Sequence, residues 1–385
     1  MNFSLGEEQV MLKTSARDFL ERECPKRLVR EMAEDERGYS PELWKKMADL
    51  GWMGLAFPEQ YGGVGSSFLD LAVLLEEMGR ALVPSPFLPT VVLAGRPILA
   101  AGSEEQKQHF LPAIASGDMK MTLASTEPGG GLEASDVNVR AVPSGEDFII
   151  KGTKLFVPDA HVADYILCVT RTKDAASHED GITLFLVDAT TPGIHTEVLK
   201  TVTGEKLCEV VFSNVAVPAT SMLGEMDRGW PIVRRVLDEA AVAECARMIG
   251  GAQWVLDATV YYANERIAFG RPIGSFQAVA HRCANMAIAV EGAVSVTYYA
   301  AWAVSENDPQ MSVAASVAKA WCSDMYKQVA GDGIQVHGAV GFTQEHDMNL
   351  YFKRAKTSEA AFGDGRYHRE RVASYVTGES VGTLE

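Results

Sequence analysis

The hydrophobic grammar of this chain changes twice, and that constrains its fold more than any single motif. Up to about residue 118, apolar side chains recur on a helical period, as in ELWKKMADLGWMGLA and FLDLAVLLEEMGRALV, with the turn-rich PEQYGGVGSS between them. Between about 120 and 225 the runs become short, β-branched and aromatic: VNVRAV, DFIIKGTKLFV, YILCV, ITLFLV, IHTEVL and CEVVF, separated by Gly, Asp, Pro and Asn. From about 228 helical spacing returns in long alanine-rich segments, apolar over much of their circumference, as helices buried on several sides are. The pattern predicts an α+β protein of three domains: an N-terminal helical domain over 1–119, an antiparallel β-barrel over 120–227, and a C-terminal four-helix bundle with a subunit interface over 228–385.

Local signals fit this division. Ser4 and Glu7 read as a capping box before the first helix, Ser103 as the cap of SEEQKQHFLPAIASGD, and PSPFLPT at 84–90 as a proline-fixed connection. The N-terminus is a surface helix rather than a signal peptide, and no apolar run approaches 18 residues, so no membrane span is expected. At 385 residues the chain is too long for one small core. Its net charge of −16 argues against general nucleic-acid binding, yet leaves room for an anionic ligand at local arginines or helix N-termini.

Six dispersed cysteines without a CxxC pair suit reduced thiols in a cytoplasmic protein, not disulfides or zinc. The eight histidines lack metal-ligand spacing, and His337 and His368 read as structural or hydrogen-bonding groups. There is no P-loop and no nucleophile elbow. Acid/base chemistry or a bound organic cofactor remains.

Four stretches could carry it, each with a plainer alternative. Thr126 to Gly131 (TEPGGG) is a turn, or a place where backbone N–H groups approach a cofactor. Arg266 to Arg271 (RIAFGR) ends a long helix, as a solvated turn or a phosphate contact. Gln335 to Thr343 (QVHGAVGFT) is a glycine-terminated helix or a pyrophosphate contact. Residues 360–372 (AAFGDGRYHRERV) are a helix start capped by Asp364, or an active-site loop.

Taken in order, these pieces resemble the acyl-CoA dehydrogenase family over essentially the whole chain. PEQYGG closes the early helices, and TEPGGG followed by Ser135 and Asp136 opens the β region. KGTKLFV stands where the family has NGxKxWI, SNVAVPATSMLGEMDRGW leads back to the helices, and ERIAFGRPIGSFQ and QVHGAVGFTQEHD resemble its two dinucleotide-contacting segments. The resemblance implies FAD and oxidation of an acyl-CoA thioester to its α,β-enoyl form. A carboxylate takes the α-proton, and the β-hydrogen leaves as hydride to the flavin. The thioester oxygen is held by a backbone N–H beside the base and by the ribityl chain. Electrons pass to an electron-transferring flavoprotein.

By matching position, the resemblance sets Leu123, Ser125 and Thr126 along the flavin ring, with Phe156 in place of a tryptophan and Pro158 in place of a hydroxyl-bearing threonine. Arg266, Phe269 and Gln277 match FAD contacts, and Gln335, Gly338 and Ala339 match the segment reaching a neighbouring subunit's pyrophosphate. Asp238 matches an acid on the substrate-side helix. The base departs from the pattern: Gly363 stands where most members carry glutamate, and Ala240, followed by Ala241, where a second subgroup carries glutamate and arginine. Two carboxylates compensate in principle. Asp364 is one residue later, leaving the Gly363 N–H for the thioester. Glu244 is one helical turn beyond Ala240, with Arg247 to hold it ionised or to bind a polar acyl group, and its plainer alternative is a satisfied ion pair with Arg247. The FGD loop and PSPFLPT look like bacterial relatives acting on bulky, cyclic, branched or dicarboxylic acyl-CoAs, which assemble as homotetramers or α2β2 tetramers. The rival expectations are a weakly catalytic partner subunit and an acyl-CoA oxidase.

Overall fold

A computed structural model describes residues 5–378. In chain order the elements are α1 (Glu7–Glu23), α2 (Lys26–Glu34), α3 (Pro41–Asp49), α4 (Phe68–Ala81), α5 (Arg96–Ala101) and α6 (Glu104–Ala115). Then come β1 (Met121–Ala124), β2 (Arg140–Ser144), β3 (Asp147–Pro158), β4 (Tyr165–Arg171), β5 (Ile182–Asp188), β6 (Ile194–Leu199), β7 (Leu207–Pro218) and β8 (Met222–Leu223). The long α7 (Trp230–Glu265) is followed by a hairpin of β9 (Ile267–Ala268) and β10 (Arg271–Pro272). After it come α8 (Gln277–Ser305), α9 (Met311–His337), α10 (Ala339–Phe342), α11 (Asp347–Ala360) and α12 (Gly365–Thr377). Ser103 caps α6 as expected, accepting from the Gln106 N–H. Ser4 lies outside the described residues; α1 begins after Gly6, whose N–H donates to the Gln9 side chain. The proline-rich connection runs into a π-helical segment, Leu88–Gly95, which is buried throughout.

The chain divides into two compact units: a helical one of Met1–Val29, Ser67–Val83 and Ala241–Glu385, and a sheet-bearing one of Arg30–Ser66 and Pro84–Ala240. In the helical unit α9 is central, packing on α8, α11 and α12, while α4 packs on α1 and α8. The backbones of α4 and α7 touch through two glycines. A Cβ on Gly79 would lie 2.1 Å from the Arg247 carbonyl oxygen, and one on Gly250 1.8 Å from that of Glu76. This contact fixes the height of α7 on α4, and with it the position of Arg247. Among the described residues α8 is the one helix long and apolar enough to cross a membrane, although its apolar residues form no unbroken run of 18. It packs on α9 and α4.

The sheet departs from expectation. Its order is β6-β7-β3-β2-β4-β5-β8, with β1 beside β4, and β6 and β8 are free edges, so the sheet is open rather than a closed barrel. The reason is physical: β8 has two residues and β6 points most of its side chains to solvent, so neither edge offers a ladder or an apolar face for closure. It is also not wholly antiparallel, because β1 and β2 both meet β4 in parallel. Register shifts between Ile150 and Gly152 and between Lys154 and Val157 bend the long β3 on β7. Both wings of the sheet then share one core, in which Phe148 meets Phe185 beside Ile150, Val210 and Phe212.

Candidate active site

In the sheet unit, the end of β1 and the bulge of β3 are tied together. The Thr126 carbonyl accepts from the Leu155 N–H at 2.9 Å, and the Pro158 carbonyl from the Thr122 hydroxyl at 2.6 Å. Leu123 is buried on β1, and Ser125 and Thr126 are half-buried after it. The bulge puts Phe156 at φ +55°, a conformation unusual for a bulky residue, and leaves its ring 55% exposed. Beneath this surface lies a buried ion pair. Lys154 Nζ donates to Glu127 Oε1 at 2.7 Å and to the Ser125 carbonyl at 3.1 Å. Glu127 also accepts from the Asn138 and Val139 N–H groups. Both charges are thereby satisfied without water, and the Ser125–Glu127 turn is anchored to the sheet.

Asp238 is buried on α7 in the same unit. Beside it Glu239 is gripped by Arg96 at 2.8 and 3.0 Å and by Arg235 at 2.9 Å. Burial pushes the Glu239 carboxyl up, and the two guanidinium groups more than reverse this, holding it below the ordinary carboxylate range.

In the helical unit, Glu244 is 3% exposed. Arg247 Nη1 donates to its Oε2 at 2.8 Å and the Ser358 hydroxyl of α11 to its Oε1 at 2.5 Å. Each carboxylate oxygen thus has one donor, and α7 and α11 together fix the orientation of the group.

The loop between α11 and α12 is held differently. Phe362 and Gly363 both have positive φ, +56° and +95°. The Phe362 carbonyl accepts from His368 Nε2 at 2.9 Å, and the Gly363 carbonyl from Lys319 Nζ at 2.8 Å. Lys319 also donates to the Glu359 carbonyl, clamping the end of α11 to the loop. Burial lowers the Lys319 pKa. Burial also pushes the His368 pKa down to about 3, so that imidazole is neutral. Its Nε2 faces a carbonyl and must carry the proton; Nδ1 then accepts from the Ser316 hydroxyl at 3.3 Å. Asp364 is exposed and caps α12, its Oδ1 accepting from the Tyr367 N–H at 2.8 Å. The structure therefore brings Glu244 and Arg247 together and leaves Asp364 at the helix start. Among the described residues the Gly363 N–H meets no acceptor.

The remaining sequence candidates lie where α7 and α9 end. Tyr262 stacks on His337, with ring centroids 4.4 Å apart, which places the Arg266–Phe269 hairpin beside the Gln335–Ala339 turn. Phe269 sits at φ +52° in a two-residue turn and is 94% exposed. Gly338, at φ +68° and ψ −148°, occupies a region of backbone space open essentially to glycine alone. Arg266, Gln277, Gln335 and Ala339 are all exposed.

Three family models match in succession: the acyl-CoA dehydrogenase N-terminal domain over residues 6–118, the middle domain over 122–215 and the C-terminal domain over 227–377. The chain belongs to the acyl-CoA dehydrogenase family. It is 32% identical to the probable acyl-CoA dehydrogenase YngJ of Bacillus subtilis (strain 168) over 381 residues, 97% of this chain and 99% of that one. Among solved structures it resembles a variant of the Tcur3481-Tcur3483 steroid ACAD, with a TM-score of 0.87, 31% identity, and 97% and 99% of the two chains covered. It also resembles the ChsE4-ChsE5 complex from Mycobacterium tuberculosis, with a TM-score of 0.89, 29% identity, and 99% and 100% covered. The chain is thus a flavoprotein oxidoreductase that acts on acyl-CoA, and its cofactor is FAD.

The residues present fit that cofactor. A flat aromatic turned out of a strand at Phe156 suits the face of a flavin ring, and the close backbone approach open at Gly338 suits a pyrophosphate. Several residues that order these segments within their own units were not singled out from the sequence: Lys154 and Glu127, Arg96 and Glu239, Lys319 and Ser358. A signal existed for some of them. Lys319 is the one lysine of the apolar stretch SVAASVAKAWC, and Glu127 and Lys154 lie inside the quoted motifs TEPGGG and KGTKLFV. Ser358 gave none, because its role depends on α11 meeting α7.

Proposed function

We propose that this acyl-CoA dehydrogenase removes hydrogen from Cα and Cβ of a bulky, cyclic, branched or dicarboxylic acyl-CoA, with Glu244 as the base and the Gly363 N–H as a donor to the thioester carbonyl. The observation that carries this reading is the pair of donors on a buried carboxylate. Arg247 and Ser358 hold and aim the Glu244 carboxylate, while Asp364 is engaged as a helix cap worth about 1 kcal/mol. FAD, when bound, supplies the acceptor for the β-hydride, and Leu123, Ser125, Thr126, Phe156, Pro158, Arg266, Phe269, Gln277, Gln335, Gly338 and Ala339 are the residues that would hold it. Asp238 and Arg247 are the groups nearest in kind to a substrate contact. The likeness to a steroid ACAD supports a bulky acyl group. An electron-transferring flavoprotein as acceptor follows from the family resemblance.

A second reading, a partner subunit of an α2β2 assembly, is favoured by one feature: Gly363 and Ala240 occupy both usual base positions, and the similar ChsE4-ChsE5 structure is a complex of two chains. The deciding experiment is anaerobic mixing of the purified chain with butyryl-, octanoyl-, glutaryl- and steroid side-chain-CoA, following flavin absorbance. Bleaching by one thioester supports the dehydrogenase. Stoichiometric FAD without bleaching sinks it, and FAD retained only with a co-expressed relative supports the partner-subunit reading.

A further inference from the structure

We propose that His368 is a positioning residue that aims the thioester-binding N–H of Gly363; this rests on the functional reading above. The Phe362 carbonyl and the Gly363 N–H belong to one peptide unit, which is planar and trans, so the two groups point in opposite directions. His368 Nε2 holds the carbonyl end at 2.9 Å. Fixing that end fixes the direction of the N–H at the other, the end that meets no acceptor among the described residues. The loop does not hold this orientation by its own preference, since the bulky Phe362 sits at φ +56°. Nor can the histidine turn its ring over freely: Ser316, fully buried on α9, holds Nδ1, and with it the tautomer that keeps the proton on Nε2. Lys319 secures the next carbonyl, so consecutive peptide units are pinned from α9 and α12.

Donation to the carbonyl also polarises the peptide, which strengthens its N–H as a donor. The device therefore supplies an electrostatic contact for negative charge that develops on the thioester oxygen as the α-proton leaves. No proton moves to or from His368, which stays neutral throughout the working pH range.

The test uses FAD-loaded protein and acetoacetyl-CoA, a thioester that has no β-hydride to give and whose α-proton ionises to an enolate. Its ionisation on the protein is read as long-wavelength flavin absorbance against pH, and its binding separately by calorimetry. Wild type is expected to ionise it well below the pH required in free solution. His368→Leu should raise the midpoint by about one pH unit and lower the bleaching rate with the preferred substrate by at least about tenfold. Binding should change less than about threefold, and the rate loss should stay below about 10²–10³, the cost of removing an oxyanion donor, because here the donor is only misaimed. His368→Gln, which keeps an N–H near Nε2, should recover most of the shift, whereas His368→Asn, too short to reach, should not. The Gln and Asn pair stands in for the Leu variant should that one fail to fold. Equal midpoints in wild type and in both His368→Leu and His368→Asn overturn the inference alone. A wild type that leaves the ionisation unchanged overturns the functional reading and the inference together.

Discussion

Glu244 and Asp364 are carboxylates of one compact unit with opposite surroundings. Glu244 is buried, with a guanidinium on one oxygen and a hydroxyl on the other; Asp364 is exposed, with a backbone N–H of its own helix. Burying a charge costs several kcal/mol unless donors offset it, and Arg247 and Ser358 supply those donors to Glu244. An exposed carboxylate at a helix start serves the helix. The difference separates a buried, doubly held carboxylate from a capping one among residues that look alike in the sequence.

The sharpest way to break that distinction is Glu244→Gln. The amide fits the same space and cannot take a proton, so flavin bleaching in the anaerobic assay should slow by about 10²–10⁴-fold with FAD content unchanged. Asp364→Asn, run beside it, should change the rate less than about threefold. The opposite ranking would move the base to Asp364.

A second challenge restores the residue that most family members carry. At φ +95° a Cβ on Gly363 would lie 2.4 Å from the Tyr367 ring and 3.0 Å from His368 Nε2. Gly363→Glu should therefore fail to rescue Glu244→Gln and should lower stability in urea by about 1–3 kcal/mol through backbone strain alone. Recovery of bleaching in the double variant would show that the loop can be rebuilt around a side chain and is not fixed as described.

The two carboxylates also show how far the sequence could be read. Helix, strand and helix again were legible because burial imposes periodicity; five of the six quoted strand runs are strands throughout, and VNVRAV is strand from Arg140 on. The open sheet was not legible, because closure depends on edges: a two-residue β8 and a solvated β6 look much like strands that close a barrel. Glu244 and Arg247 share a helix, and their spacing alone pairs them. Ser358 lies more than 100 residues away, and only the packing of α11 on α7 completes the site. For Asp364, cap and base predict the same residue at the same place, and its hydrogen bond from the Tyr367 N–H shows the cap.

A smaller effect tests the neutral imidazole beneath the loop. The folded pKa of His368 is about 3, depressed by burial from about 6.5 in the unfolded chain. Below pH 6.5 the unfolded state binds the extra proton, so this group's stabilisation is complete above about 6.5 and is lost as pH falls toward 3, at about 1.4 kcal/mol per pH unit. Urea unfolding at pH 7.5 and pH 5.5 should show a loss in wild type that is smaller in His368→Gln by about 1.4 kcal/mol. An identical loss in both would mean that the imidazole is not buried neutral.

The smallest effect belongs to the cap itself. Asp364→Ala removes the acceptor for the Tyr367 N–H and should cost about 1 kcal/mol, with Asp364→Asn close to wild type because aspartate and asparagine cap almost equally well. Amide hydrogen exchange gives the local readout: the Tyr367 N–H should exchange faster in the alanine variant and at the wild-type rate in the asparagine one. Charge near the helix N-terminus separates the two remaining contributions, since asparagine keeps the hydrogen bond and loses the interaction with the helix dipole, worth about 0.3–1 kcal/mol. A stability ranking of aspartate, asparagine and alanine that follows this order, with bleaching rates that do not follow it, makes Asp364 a residue of the fold and not of the reaction.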